Sequence, residues 1–263
     1  MDIYTDNIVI LGGGSAGWMV ASTLIKDHPT KNITVVESPT IPTIGVGEAS
    51  VPEMHFWLRH LGINYDEFFP ETDAIYKLAG RFVDFKDVGA EDYYTLAIFT
   101  DFDEYFRSGS ILGLQDWHIK KILHPELALE DFYGYHFPQW PLVRDGKFTE
   151  KNPRELHPFD LNRHSALHID AIKLGTFLRE KYAKPRGVKH IEGTVAKVMP
   201  RKDGGVDHLI LEDGRIINGD LFVDCTGFKS LLIGDFLKTE FINTIDDLPH
   251  NKAFFAPVPY VDK

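Results

Sequence analysis

The hexapeptide Gly12-Gly13-Gly14-Ser15-Ala16-Gly17 is the first place in the chain where residue type and spacing could do chemistry. Glycines at its first, third and sixth positions suit phosphate binding for separate reasons. Gly12 allows a tight turn, Gly14 lets a pyrophosphate come close to bare backbone, and Gly17 lets a helix pack closely on the preceding strand. Ser15 and Ala16 open that helix, whose N-terminal amides and positive dipole end attract phosphate charge. Glu37 ends the next β-branched run, where a carboxylate can accept hydrogen bonds from an adenosine ribose. This spacing serves NAD and FAD equally. The choice comes from later segments. Thr194-Val195 and Val223-Asp224-Cys225-Thr226-Gly227 return the chain to the nucleotide, the second as a strand followed by Asp-x-x-Gly. The Asp224 carboxylate and the amides running to Gly227 can meet ribityl and phosphate groups, the pattern of FAD-binding two-dinucleotide folds.

The elements that must position these residues are readable from periodicity. Residues 7–11 and 33–37 are β-branched runs expected as buried strands, and residues 15–27 carry apolar side chains at helical spacing with Pro29 beyond. The chain therefore opens as a β-α-β unit. Residues 50–60 predict a second helix, with Ser50 as cap, Pro52 in the first turn, Glu53 completing a capping box and Gly62 as the stop. Residues 79–85 predict a strand. Residues 91–162 have a different texture, rich in aromatic residues, histidine and proline with little periodicity, and read as an inserted, loop-rich region that could line an apolar pocket. A helix is expected over 168–181 with Asp170 as its cap. Strands are expected over 189–198, 206–211 and 221–224, with Asp213-Gly214 as a hairpin turn.

Composition narrows the class. With 43% hydrophobic residues in 263, the chain can bury a sizeable core. A formal net charge of -11 makes nucleic acid or an anionic membrane surface a poor partner. Cys225 is the single cysteine, so no intramolecular disulfide can form, which fits a reducing compartment. The opening residues have neither a basic segment nor a long apolar run, and no apolar stretch is long enough to span a bilayer. A cytoplasmic protein is expected. His118, His124, His136, His157, His164 and His168 lack metal-ligand spacing, so no metal site is expected, and neither a G-x-S-x-G element nor a P-loop occurs.

Three segments together resemble the flavin-dependent tryptophan halogenases. They are the run of residues 8–19 ending in Gly17-Trp18-Met19, the run 41–52 containing Gly45-Val46-Gly47-Glu48-Ala49, and Leu221-Phe222-Val223-Asp224-Cys225-Thr226-Gly227. The likeness is dense over residues 7–85 and 164–242 and loose between. It implies an α/β fold: a Rossmann-like FAD-binding domain of the two-dinucleotide-binding, flavin monooxygenase-like type with an inserted loop-rich region. The implied organisation is 1–85 as the first FAD-binding segment, 86–163 as the substrate-side insertion and 164–263 as the second segment. The resemblance implies that reduced FAD, supplied by a separate flavin reductase, uses O2 and halide to make hypohalous acid. Tyr76-Lys77-Leu78-Ala79-Gly80-Arg81-Phe82 matches the family segment that carries the catalytic lysine, so Lys77 would relay halogen to an electron-rich aromatic such as an indole or phenol. Val46 and Ala49 fall on the strap expected near the flavin. Without the resemblance, Lys77 reads as an ordinary strand-edge lysine.

The likeness is also incomplete. The family's Trp-x-Trp-x-x-Ile-Pro element has no counterpart, since Trp18, Trp57, Trp117 and Trp140 never stand two apart. The glutamate that partners the lysine has none either, and the chain corresponds to the first half of the family. Another FAD-dependent aromatic monooxygenase, or a non-catalytic FAD-binding piece, are the competing readings. Oligomeric state stays open, a homodimer among the choices.

Overall fold

Asn-Ile-Val-Ile-Leu forms the central strand β1 (Asn7–Leu11), and its last four side chains are buried because both faces of its sheet are covered. This computed structural model describes residues 5–43, 45, 48–84, 87–89, 91–95, 111–128, 139–147, 161–249 and 251–252. It divides into two compact units, one of residues 1–47 with 170–263 and the other of residues 48–169.

In the first unit, β1 lies parallel to β2 (Asn32–Glu37) on one side and to β12 (Leu221–Asp224) on the other, and β8 (Lys189–Glu192) extends the sheet beyond β2. Register sets where the strands end. Leu11 stands opposite both Val36 and Asp224, so the carboxyl ends of β1, β2 and β12 finish level. Ligands of open parallel sheets bind at that edge.

Alternation along β1 sends Val9 and Leu11 to one face and Ile8 and Ile10 to the other. Val9, Leu11 and Val36 form a buried cluster with Leu209, Leu211, Ile217 and Leu232. That face is covered by an antiparallel meander of β9 (Val195–Pro200), β10 (Val206–Leu211) and β11 (Ile216–Asn218). Against the strands also packs α1 (Ser15–Asp27), with Trp18, Ala21 and Ile25 buried, next to the helix Ala171–Phe177. The latter runs on through wider, π-type turns at Leu178–Ala183 and stops at Gly187, which has φ of 101°.

The second unit contains β3 (Glu48–Ala49), α2 (Glu53–Leu61), α3 (Tyr65–Thr72), β4 (Ile75–Lys77) and β7 (Ala166–Ile169). β3, β7 and β4 make a small antiparallel sheet in that order, and β5 (Ala79–Val83) pairs antiparallel with β6 (Glu91–Thr95). Among the described residues no helix is long and apolar enough to cross a membrane.

The architecture is the expected α/β, Rossmann-like one, with local departures. Residues 48–85, grouped by sequence with the first segment, belong to the second unit because β3 and β4 pair with β7. His168 and Ile169 are strand residues of β7, and the helix begins at Ala171, with the Asp170 carboxylate accepting from the Ile172 and Lys173 amides at 2.9 Å each. α2 begins at Glu53 behind Pro52 with no side-chain cap. Ser50 is drawn to β7 instead, donating its amide to the Leu167 carbonyl at 2.7 Å and accepting the Leu167 amide on Oγ at 2.9 Å. Gly62 does end α2, at φ of 74°. The expected strand over 189–198 is two strands broken at Gly193, because β8 joins the parallel sheet and β9 the meander. The helices α3 and Ile111–Leu123 lie in stretches where no helix was expected.

Candidate functional site

At the carboxyl edge of the parallel sheet the glycine turn is built under tight steric limits. Gly12 has φ of +105°, and a Cβ there would lie 2.2 Å from the Cys225 carbonyl oxygen, so the loop after β12 crosses directly over it. A Cβ at Gly17 would lie 1.9 Å from the Gly12 oxygen, which lets α1 start flush against β1. Gly14 is different: its backbone is extended, with φ of -72°, and an added Cβ meets only the Thr43 methyl at 3.7 Å. The turn is closed at Gly12 and Gly17 and open at Gly14. Here the first amides of α1, those of Ser15, Ala16 and Gly17, have no intrahelical acceptor.

Ser15 donates its hydroxyl to the Ala171 carbonyl at 2.9 Å, tying the start of α1 to the start of the Ala171 helix, while Ala16 is exposed. The strap approaches the same place. A Cβ on Gly45 would lie 2.7 Å from Ile172 Cγ1, so the chain there runs close along the Ala171 helix. Val46 lies outside the described residues.

Glu37, at the end of β2, folds its carboxyl group over the turn, where a Cβ on Gly13 would meet it at 2.1 Å. Its Oε2 accepts from His190 Nε2 at 2.8 Å and has Arg179 Nη1 at 3.5 Å. Neither partner had a signal in the sequence, since one reaches Glu37 from a parallel strand and the other from a helix far along the chain. The Glu37 carbonyl accepts the Gly193 amide at 2.8 Å, and Ser38 and Thr194 hydroxyls meet at 2.7 Å. Val195, half-buried, then starts β9.

Asp224 is engaged within the chain. Oδ1 accepts from the Thr226 amide at 3.0 Å and the Thr226 hydroxyl at 2.6 Å, and Oδ2 accepts from the Leu232 amide at 2.7 Å and the Ile233 amide at 3.1 Å. Burial acts to raise its pKa, but the Thr226 hydroxyl and these amides outweigh it and hold the carboxyl below the usual carboxylate range. Its oxygens thus brace the loop that carries Gly227, which has φ of +61°. Cys225 beside it has its thiol pushed up, by burial and then by the Asp224 charge.

Lys77 sits in the other unit, on β4. It is half-buried and stands opposite Ala166 of β7, while Ile75 stands opposite His168, which in turn faces Ala49 of β3. Cross-strand partners share a face and side chains alternate along a strand. Lys77, Ile75, Ala166, His168 and Ala49 therefore share one face, which joins the strap's exposed Ala49 to the lysine. His168 was not among the expected site residues; its signal was the Leu167-His168-Ile169 alternation, and the expected helix over 168–181 began on it instead. Burial of part of its ring and then the Lys77 charge push its imidazole below the ordinary histidine range.

Behind this sheet a buried network anchors β4. Ser165 Oγ donates to the Leu161 carbonyl at 2.6 Å, so His55 Nε2, 3.3 Å away, is the donor to Ser165, and His55 Nδ1 meets the Tyr65 hydroxyl at 2.8 Å. The His55 ring stacks on Tyr76, whose hydroxyl donates to Asn162 Oδ1 at 2.7 Å. Tyr76 is next to Lys77 and holds its strand in place.

Residues 7–263 match the family model described as "Tryptophan halogenase". Tryptophan 6-halogenase ThaL of Streptomyces albogriseolus is 35% identical over 275 residues, which take in 100% of this chain and 50% of that protein. Among solved structures, a tryptophan 6-halogenase, SttH, from Streptomyces toxytricini superposes with a TM-score of 0.75 at 31% identity, over 93% of this chain and 48% of that one. BrvH, a flavin-dependent halogenase from Brevundimonas sp. BAL3, gives a TM-score of 0.74 at 32% identity, over 94% and 48%. The chain spans about half the length of the relatives it matches.

Proposed function

The chain belongs to the tryptophan halogenase family, and on that premise we propose that it is the FAD-binding, lysine-bearing half of a flavin-dependent halogenase. The substrates are halide, O2 and an electron-rich aromatic of indole or phenol type, with reduced FAD delivered by a separate flavin reductase. The observation that carries the reading is the β3–β7–β4 sheet, which sets the strap residue Ala49 and Lys77 on one face.

The residues present fit FAD. The cradle has room at Gly14, where a Cβ meets nothing closer than 3.7 Å, and amide donors at the α1 N-terminus. Gly12, Gly14, Ser15, Ala16 and Gly17 would hold the pyrophosphate and Glu37 the adenosine ribose. The loop from Asp224 to Gly227, with Val195 and the strap, would face the flavin end. In that role Asp224 acts through the amides it braces. Bound and reduced, FAD supplies the electrons that let O2 oxidise halide to hypohalous acid.

Lys77 then does the directing. An N–H of its side chain donates to the hypohalous oxygen and holds the halogen towards the ring. The carbon–halogen bond forms as the oxygen–halogen bond breaks, and hydroxide leaves with the ring proton as water. Burial and then the Lys77 charge lower the His168 pKa, which disfavours a second cation beside Lys77.

The test is reduced FAD, O2 and bromide over a panel of indoles and phenols, read as the bromine isotope doublet by mass spectrometry. Lys77→Ala should lower turnover at least about 100-fold, the scale of a lost positioned proton donor, while FAD affinity changes less than about twofold. A product that gains oxygen in place of halogen, or bromination retained in Lys77→Ala, would overturn the assignment.

A further inference from the structure

Glu37 reaches the adenosine end of a dinucleotide as a flexible side chain, and its freezing would be charged to binding unless the protein has already fixed it. The structure fixes it. β8 lies in register with β2, Val35 opposite His190 and Glu37 opposite Glu192, so His190 and Glu37 emerge on the same face. His190 Nε2 donates to Glu37 Oε2 at 2.8 Å, and Arg179 Nη1 approaches the same oxygen at 3.5 Å. Both contacts fall on one oxygen of a carboxylate that has two.

His190 is itself held. Trp18 is fully buried, and its ring stands at 74° to the His190 imidazole with centroids 5.2 Å apart. Trp18 Nε1 has no hydrogen-bond partner among the described residues. A buried indole N–H left without an acceptor is a cost. Trp18 belongs to the Gly17-Trp18-Met19 segment that no site role had absorbed. Its buried ring fixes the plane of His190, and His190 fixes Glu37.

We propose that His190, backed by Trp18, is a positioning residue for the adenosine-binding carboxylate: it holds Glu37 over the glycine turn so that the cofactor's ribose meets a preset acceptor. The proposal rests on the reading of this chain as an FAD-binding protein. It concerns the adenosine half alone, which is what makes it separable from a general effect on the fold.

The experiment measures FAD and FMN dissociation constants by flavin fluorescence in the whole chain, for the unsubstituted protein and for His190→Phe, His190→Gln, Glu37→Gln and the pair H190F/E37Q. His190→Phe keeps an aromatic ring against Trp18 and removes the donor. The expected result is an approximately tenfold weakening of FAD, one hydrogen bond's worth, with FMN, which lacks the adenosine, changed less than about twofold. His190→Gln, which keeps an amide donor, should recover part of the loss. The pair should bind FAD no worse than Glu37→Gln alone, because both changes remove one interaction. Unchanged FAD affinity in His190→Phe, equal losses for FAD and FMN, or additive losses in the pair would overturn the proposal. Failure of the unsubstituted protein to bind FAD would overturn the cofactor reading itself, and this inference with it.

Discussion

Lys77 and His168 are diagonal neighbours on one sheet face, within reach of each other's fields. Because burial and then the Lys77 charge lower the His168 pKa, Lys77→Ala should raise the His168 titration midpoint without returning it fully to the ordinary value, since burial is the larger cause. NMR of the imidazole C–H signals reads this directly, and an unmoved midpoint would mean that the two do not interact. Proton counts give the sign for stability. Between the depressed folded value and about 6.5 the unfolded chain binds more protons than the folded one, so stability rises with pH across that window and is complete above it. Asp224 runs in the same direction at lower pH. Its carboxyl is held down by donors, so its contribution is present above the ordinary carboxylate range and is lost as pH falls through the folded value. Asp224→Ala should cost about 1–2 kcal/mol, as for a lost helix cap, measured by denaturant melts at neutral pH, and the deficit against the unsubstituted protein should shrink in acid.

At the scale of the element, α1 and its turn carry two kinds of glycine. A side chain at Gly17 must push against the Gly12 oxygen 1.9 Å away, whereas one at Gly14 meets only the Thr43 methyl, in ordinary contact at 3.7 Å. Gly17→Ala should therefore destabilise the fold by about 1–3 kcal/mol, the cost of overpacking. Gly14→Val should leave apo stability within about 1 kcal/mol and weaken FAD by at least about tenfold, through loss of the phosphate's approach. Thermal melts with and without FAD separate the two. Equal behaviour of both variants would contradict the division of roles within the turn.

For the whole molecule, the dinucleotide edge and the lysine-bearing sheet belong to different compact units, joined in sequence by the strap and by the step from β7 into the Ala171 helix. Cofactor affinity and turnover should therefore respond to different substitutions. Saturating FAD should stabilise the chain through binding to the folded state, by about 2.7 kcal/mol at a hundredfold excess over Kd. That increment should persist in Lys77→Ala and drop to about 1.4 kcal/mol or less in Gly14→Val at the same FAD concentration. Loss of the FAD-dependent stabilisation in Lys77→Ala would show that the two sites are one cooperative site.

The sequence by itself determined the β-α-β opening, the glycine turn and the α/β class, because these rest on local rules: β-branched runs for buried strands, helical spacing for α1, and glycine where a Cβ has no room. The capping of the Ala171 helix by Asp170 and the stop at Gly62 were legible for the same reason. Tertiary structure alone decided what depended on distant pairing. Ser50 left its helix to bond with Leu167, and His168 became a strand residue because β3 and β4 needed a partner between them. The reach of Asp224 to the amides of Leu232 and Ile233, and the grip of His190 and Arg179 on Glu37, come from elements brought together by parallel register and helix packing. No spacing along the chain encodes such contacts, since strand order and register are set by burial of whole faces and not by any residue's own neighbours.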